Sequence, residues 1–99
     1  MEAVIDIGTM IASNPNIHGG RPILAGTGVT VQRIAVLYKN GFSPEEIVRK
    51  IDHLTLAQVY SALAYFHANR AAIESEILAE DQAYETLMQQ HYQRKSLQP

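Results

Sequence analysis

The sequence predicts a mainly α-helical protein: a three-helix helix-turn-helix core, homeodomain-like or winged-helix-like, with a short N-terminal β element and a C-terminal helical arm. Three observations predict it. From Thr30 onward the apolar residues recur with a helical period. Two capping signatures, "SPEE" at 43–46 and "TLAQ" at 55–58, open two helices a short turn apart. The first 30 residues are instead rich in Ile and Val broken by Gly, Pro and Asn, the texture of short strands and turns.

Taken in order, "AVIDI" (3–7) alternates with the period of a strand, and "TMIAS" (9–13) is a short apolar run closed by the turn signal "NPN". "PILAG" and "GVTV" read as two short strands around the turn "AGTG", with Pro22 at a strand start because it has no N–H to donate. Val31, Ile34, Ala35 and Tyr38 then fall at i, i+3, i+4 and i+7, one apolar stripe that Gly41 stops. Ser43 as N-cap, Pro44 in the first turn and Glu46 three residues on open a second helix with Ile47 and Ile51 facing inward. Thr55 and Gln58 repeat the device for a third, whose core stripe is Val59, Ala62, Leu63 and Phe66. Beyond Arg70 the pattern persists through Ile73, Ile77, Tyr84, Leu87 and Met88, as one long helix or two with a bend. Two units are expected, a domain at 1–70 and an acidic amphipathic arm at 71–99. A trihelical core cannot cover the arm's stripe alone, so the arm either folds back or meets another chain.

With 99 residues, 46% hydrophobic and 18% charged, the chain suits a single folded domain rather than a disordered one. No apolar run approaches the roughly 20 residues of a membrane span, and the first residues lack the positive region of a signal peptide. The absence of cysteine excludes disulfides, zinc–thiolate sites and a cysteine nucleophile. A cytoplasmic location is the expectation. The net charge of −2 divides unevenly, +1 over residues 1–70 and −3 over 71–99, so there is no broad basic footprint for nucleic acid.

Catalytic and cofactor chemistry finds little support. "HGGRPILAGTG" fits neither a dinucleotide fingerprint nor a phosphate loop, so Gly19, Gly20, Gly26 and Gly28 are expected to serve positive-φ turn positions. His18, His53, His67 and His91 lack metal-ligand spacing. Glu45 and Glu46 point about 100° apart on a helix and suit its N-terminus better than acid–base work. No enzyme activity, metal or cofactor is expected.

The helix pair carries the sharper signal. Its second helix, as a recognition helix, would present Thr55, Leu56, Ala57, Gln58, Tyr60 and Ser61 to base edges, with Gln58 able to read adenine bidentately. Arg33, Arg49 and Lys50 are the candidate phosphate contacts. The alternative is a helical hairpin of the same spacing that serves as a protein-interaction or structural module.

Residues 14 to 70 resemble the bacterial "domain of unknown function 433" family. The matching positions are Gly19, Gly20, Arg21, Pro22, Gly26, Thr27 and Val31, then Gly41, Ser43, Glu45, Glu46, Ile47, Leu54, Thr55, Val59, Ala62 and Leu63. The resemblance implies a helix-turn-helix domain behind short strands, often dimeric, acting as the antitoxin of a toxin–antitoxin pair with a PIN-like nuclease. Where the family usually carries Arg after "GT", this chain has Gly28. The resulting expectation is a small homodimeric DNA-binding autoregulator and antitoxin. Its "GGRPILAGTG" segments would pair between copies. Ile73, Ile77, Tyr84, Leu87 and Met88 would engage the nuclease.

Overall fold

The computed structural model describes residues 4–97, with side chains through Gln93. Two short strands, β1 (Ile11–Ala12) and β2 (Ile23–Leu24), precede four helices: α1 (Val31–Lys39), α2 (Pro44–Lys50), α3 (Leu56–Ala68) and α4 (Arg70–Leu97). The strands pair antiparallel, Ile11 opposite Leu24 and Ala12 opposite Ile23. The helices form a mainly α body with the strands laid against α3.

The β element is smaller than the alternation suggests. "AVIDI" makes no strand over its described residues. Asp6 instead accepts a hydrogen bond from the Gly8 N–H at 2.9 Å and opens a 3-10 turn over Ile7–Thr9. Period two predicts a strand only where one face has something to cover, and Val4, Ile5 and Ile7 remain 96%, 69% and 58% exposed. "GVTV" contributes one bridge, Thr30 opposite Ile23. It stops there because the Thr30 hydroxyl accepts from the Arg33 N–H at 3.0 Å and caps α1. In the turn between, Gly26 has a φ of +77°, whereas Gly28, contrary to expectation, does not occupy the left-handed region.

Both capping boxes form. The Ser43 hydroxyl accepts from the Glu46 N–H at 3.2 Å while the Glu46 carboxylate accepts from the Ser43 N–H at 3.1 Å. Thr55 and Gln58 make the same reciprocal pair at 3.1 and 2.8 Å. Gly41, with φ +96°, ends α1 as its position suggests. The core joins Leu24 and Val31, Ile34 and Ala35 of α1 to Ile47 of α2 and Val59, Ala62, Leu63 and Phe66 of α3.

The Glu46 cap gives a pH signature. The backbone hydrogen bond from Ser43 comes first, its side-chain hydrogen bond second, and Arg49 and Lys50 add to them. Together they hold the Glu46 carboxyl below its ordinary 4.5. A folded-state pKa below the unfolded one stabilises the fold at neutral pH, and that contribution disappears as pH falls through this range. Glu46→Gln should therefore melt below the wild type at pH 7, with the gap narrowing as the pH falls through the lowered folded-state pKa and the wild type becomes protonated as well. Thermal melts at neutral pH and across a descending acid series measure this. A gap that persists unchanged in acid contradicts the assignment.

Only Asn69 separates α4 from α3, and its side-chain amide donates to the Tyr65 carbonyl at 3.1 Å. The start of α4 then lies on the body. Ile73 is 3% exposed inside the same core as α1 and α3, and Ile77 packs against that core. One turn on, Glu80 ion-pairs with Arg21 and accepts from the Gln32 amide at 2.6 Å. Gln32 is 8% exposed, and its own oxygen accepts from Arg21 at 3.2 Å. At the root of the helix, Lys39 of α1 meets Glu74 at 3.3 Å. The packing of the first turns of α4 is thus continuous with the 1–70 unit rather than separate from it. A helix of 28 residues reaches well past this anchorage, and the molecule is 71 Å along its longest axis.

Candidate functional site: the face of α3 and the arm of α4

The segment from α2 to α3 turns through residues 51–55, with Ile51 and Leu54 tucked into the core and His53 at a φ of +72°. That geometry exposes the N-terminal face of α3, but only some of the sequence-predicted residues reach it. Ala57 is exposed, Leu56 is 44% exposed and Tyr60 52%. Ser61 is not on this face. It is 7% exposed, its hydroxyl pointing at the Met10 sulfur 3.2 Å away, because the residue just before β1 lies over that side of α3. The Thr55 hydroxyl and the Gln58 side-chain oxygen are both engaged in the capping box. Reading adenine bidentately would need that Gln58 oxygen free to accept.

The electrostatics of this face are also poor for a polyanion. The Tyr60 hydroxyl donates to the Glu45 carboxylate at 3.4 Å, so an acid borders the surface meant for phosphates. Of the three candidate bases, Lys50 lies 4.3 Å above the Phe42 ring, and Arg49 is exposed beside it on α2. Arg33 is on α1, bordering a groove lined also by His18, Arg21 and Glu80. That groove includes none of the α3 residues predicted to meet bases. Among the described residues, no three His, Asp or Glu side chains converge as a metal site would require. No described helix is long and apolar enough to cross a membrane.

Sequence reasoning placed five residues of α4 at a partner surface, and the structure divides them. Ile73 and Ile77 belong to the body, since their face of α4 lies against α1 and α3. Tyr84 and Leu87 are each 64% exposed, and Met88 is half-buried. Tyr92, also 64% exposed, extends the apolar area and was not singled out from the sequence. Its signal was available: it lies four residues after Met88, one turn further along the helix.

The expected strand pairing between copies through "GGRPILAGTG" meets an obstacle. β2 has β1 on one edge. On the other, the Leu24 N–H donates to the Val29 carbonyl at 2.9 Å and the Val31 N–H to the Pro22 carbonyl at 3.0 Å. Neither edge of β2 is free to take a strand from a second copy.

Fold and exposed faces define a small helix-turn-helix protein with a projecting helical arm. The sequence profile described as "Protein of unknown function (DUF433)" matches residues 11–66, and the chain belongs to that family. A crystal structure of a DUF433 member from Anabaena variabilis is similar in fold, with a TM-score of 0.66 at 23% identity. The similarity covers 71% of this chain and 69% of that one. No curated protein matches the chain.

Proposed function

We propose that this protein is a small, non-enzymatic binding protein of the antitoxin type, whose working surface is the free half of α4. The arm would seize a toxin-like nuclease by laying its apolar stripe into a groove of that partner. The helix-turn-helix body would add a weak contact to DNA. The observation that carries this reading is the exposure of Tyr84 and Leu87, each 64% open to solvent on a helix that outreaches its own body. Large apolar side chains in a row on a projecting helix mark an interaction site more often than an idle surface.

For DNA the expected contact is loose and salt-dependent. Arg33, Arg49 and Lys50 would meet phosphates, with Ala57, Tyr60 and Leu56 the side chains nearest the bases. The engagement of Gln58 and the burial of Ser61 favour the second reading, in which the helix-turn-helix serves protein contacts only. One experiment weighs the protein and DNA halves together. The chain is co-expressed with the product of its adjacent gene, as wild type and as Leu87→Asp, and any complex is titrated with upstream and random duplex. The expected result is a complex that wild type forms and Leu87→Asp loses, binding both duplexes weakly. No complex with wild type, or an equal complex with the variant, overturns the arm's role. Tight, upstream-specific DNA binding by the isolated chain would make DNA readout its main work.

A further inference from the structure

A groove of about 330 Å³ lies where the segment before β2, the start of α1 and the middle of α4 meet. His18, Arg21, Thr30, Gln32, Arg33 and Glu80 are among its lining residues. Its polar groups come from segments far apart in sequence, and two of them converge on one carboxylate. Glu80 ion-pairs with Arg21 through one oxygen and accepts from the Gln32 amide at 2.6 Å through the other. Gln32 is 8% exposed, and its own oxygen accepts from Arg21 at 3.2 Å, so its amide N–H is turned to Glu80.

The charges in this groove do not balance. Arg21 and Arg33 bring two permanent positive charges, and Glu80 is the one acid among the lining residues. Arg33 makes no ion pair with any described residue. Thr30 caps α1 at the same groove, so the positive end of that helix's dipole adds to the excess. His18, held by its Nε2–H on the Gly28 carbonyl at 2.8 Å, adds no negative charge. The Arg21–Glu80 pair is also half open, with side chains 38% and 48% exposed, where ion pairs hold weakly. Glu80 can therefore be displaced. Once it leaves, the nearly buried Gln32 amide needs another acceptor, because a buried donor without one is costly. A carboxylate has two oxygens, and here both are spent on Arg21 and Gln32. A phosphate group offers three, enough to take both places and engage Arg33 as well.

We propose that this groove is a binding site for a phosphate group, walled by Arg21, Arg33 and the Gln32 amide, with Glu80 as its built-in competitor. In the free protein the Glu80 carboxylate stands where two phosphate oxygens would bind. An arriving phosphate exchanges one anion for another, leaves no buried donor without an acceptor, and frees α4 at Glu80. Ile73 in the core and Ile77 against it keep the root of the helix on the body. The phosphate belongs either to a small phosphate ester or to a nucleic-acid backbone, the same chemistry from two sources. The first source needs no contact to DNA, so the site does not depend on that half of the proposed function.

The test titrates inorganic phosphate into the isotope-labelled full chain at constant ionic strength, with chloride as the balancing anion. Nuclear magnetic resonance shifts of the Gln32 side-chain amide and the Arg33 guanidinium report occupancy. Wild type should bind weakly, and Glu80→Ala should bind about 10-fold more tightly or better. Glu80→Gln keeps the side-chain size and removes only the charge. It should gain in the same direction, which guards against a loosened α4 in the alanine variant. Adding Arg33→Ala to Glu80→Ala should cancel most of the gain. A short random duplex titrated into the same proteins names the source. A parallel gain assigns the groove to a nucleic-acid backbone, and a gain for phosphate alone assigns it to a small phosphate ester. Three results overturn the inference: a wild type that responds to neither probe, Glu80 variants that bind no more tightly than wild type, or a gain that survives the loss of Arg33. Any of them leaves capture of a partner through Leu87 standing, and failure of that capture leaves this site standing.

Discussion

Replacing Phe66 by alanine is expected to destabilise the protein by about 3–5 kcal/mol. Phe66 is 1% exposed at the centre of the body, among the side chains of α1, α2 and α3 that close the core. Truncation removes its buried area and leaves a cavity that flanking helices fixed by their caps cannot fully close. Domains of this size are stable by only about 5–15 kcal/mol, so the variant should sit near the edge of folding. At roughly 4–8 °C per kcal/mol, the melting temperature should fall by at least about 12 °C. A drop of only a few degrees would mean that the three-helix core is not organised around this ring. Chemical denaturation followed by far-ultraviolet circular dichroism provides the measurement.

The second large effect separates the two halves of α4. Ile73→Ala should cost about 2–4 kcal/mol, because Ile73 is 3% exposed within the core. Leu87→Ala should change the stability of the monomer by less than about 0.5 kcal/mol, because Leu87 is 64% exposed. Both residues lie on one face of one helix and are similar in size and hydrophobicity, so the contrast measures what covers that face. Melts of both variants in dilute protein check it. Equal and large effects would mean that the arm folds back along its whole length. Equal and small effects would mean that the helix is not docked at Ile73.

Much of the body was legible because its signals are local. Ser43, Glu46, Thr55 and Gln58 specify helix starts within four residues, and Gly41 a helix stop, without reference to the rest of the chain. The stripes of α1 and α3 follow from a period that burial then confirms at Val31, Ile34, Val59 and Phe66. Signals that depend on distant partners were less legible. Alternation over "AVIDI" has the form of a strand, but a strand also needs a neighbour and a face to cover, and Asp6 caps a turn instead. Ser61 looks outward by its place after Thr55, yet Met10, 51 residues earlier, lies against it. The same holds for Ile73 and Ile77. Their spacing identifies an apolar stripe but cannot say whether the body or a partner covers it. Glu80 was not singled out at all. Its role depends on Arg21 and Gln32, 59 and 48 residues away.

The candidate site follows the same division. The face of α3 was located from its cap, but whether its polar groups were free was not. Gln58 serves both as a capping residue and as a possible base reader, and in this fold its oxygen is taken by the cap. The surface proposed for binding therefore shifts from a recognition helix towards the exposed length of α4.

Backbone amide exchange along α4, recorded in dilute protein, bears most directly on that shift. Amides around Ile73 and Ile77 should be protected nearly as strongly as the core of α3. Those from Tyr84 to His91 should exchange rapidly. Strong protection of residues 84–91 in the dilute monomer, or rapid exchange from Ala71 onward, would contradict a helix that is half core and half open binding surface.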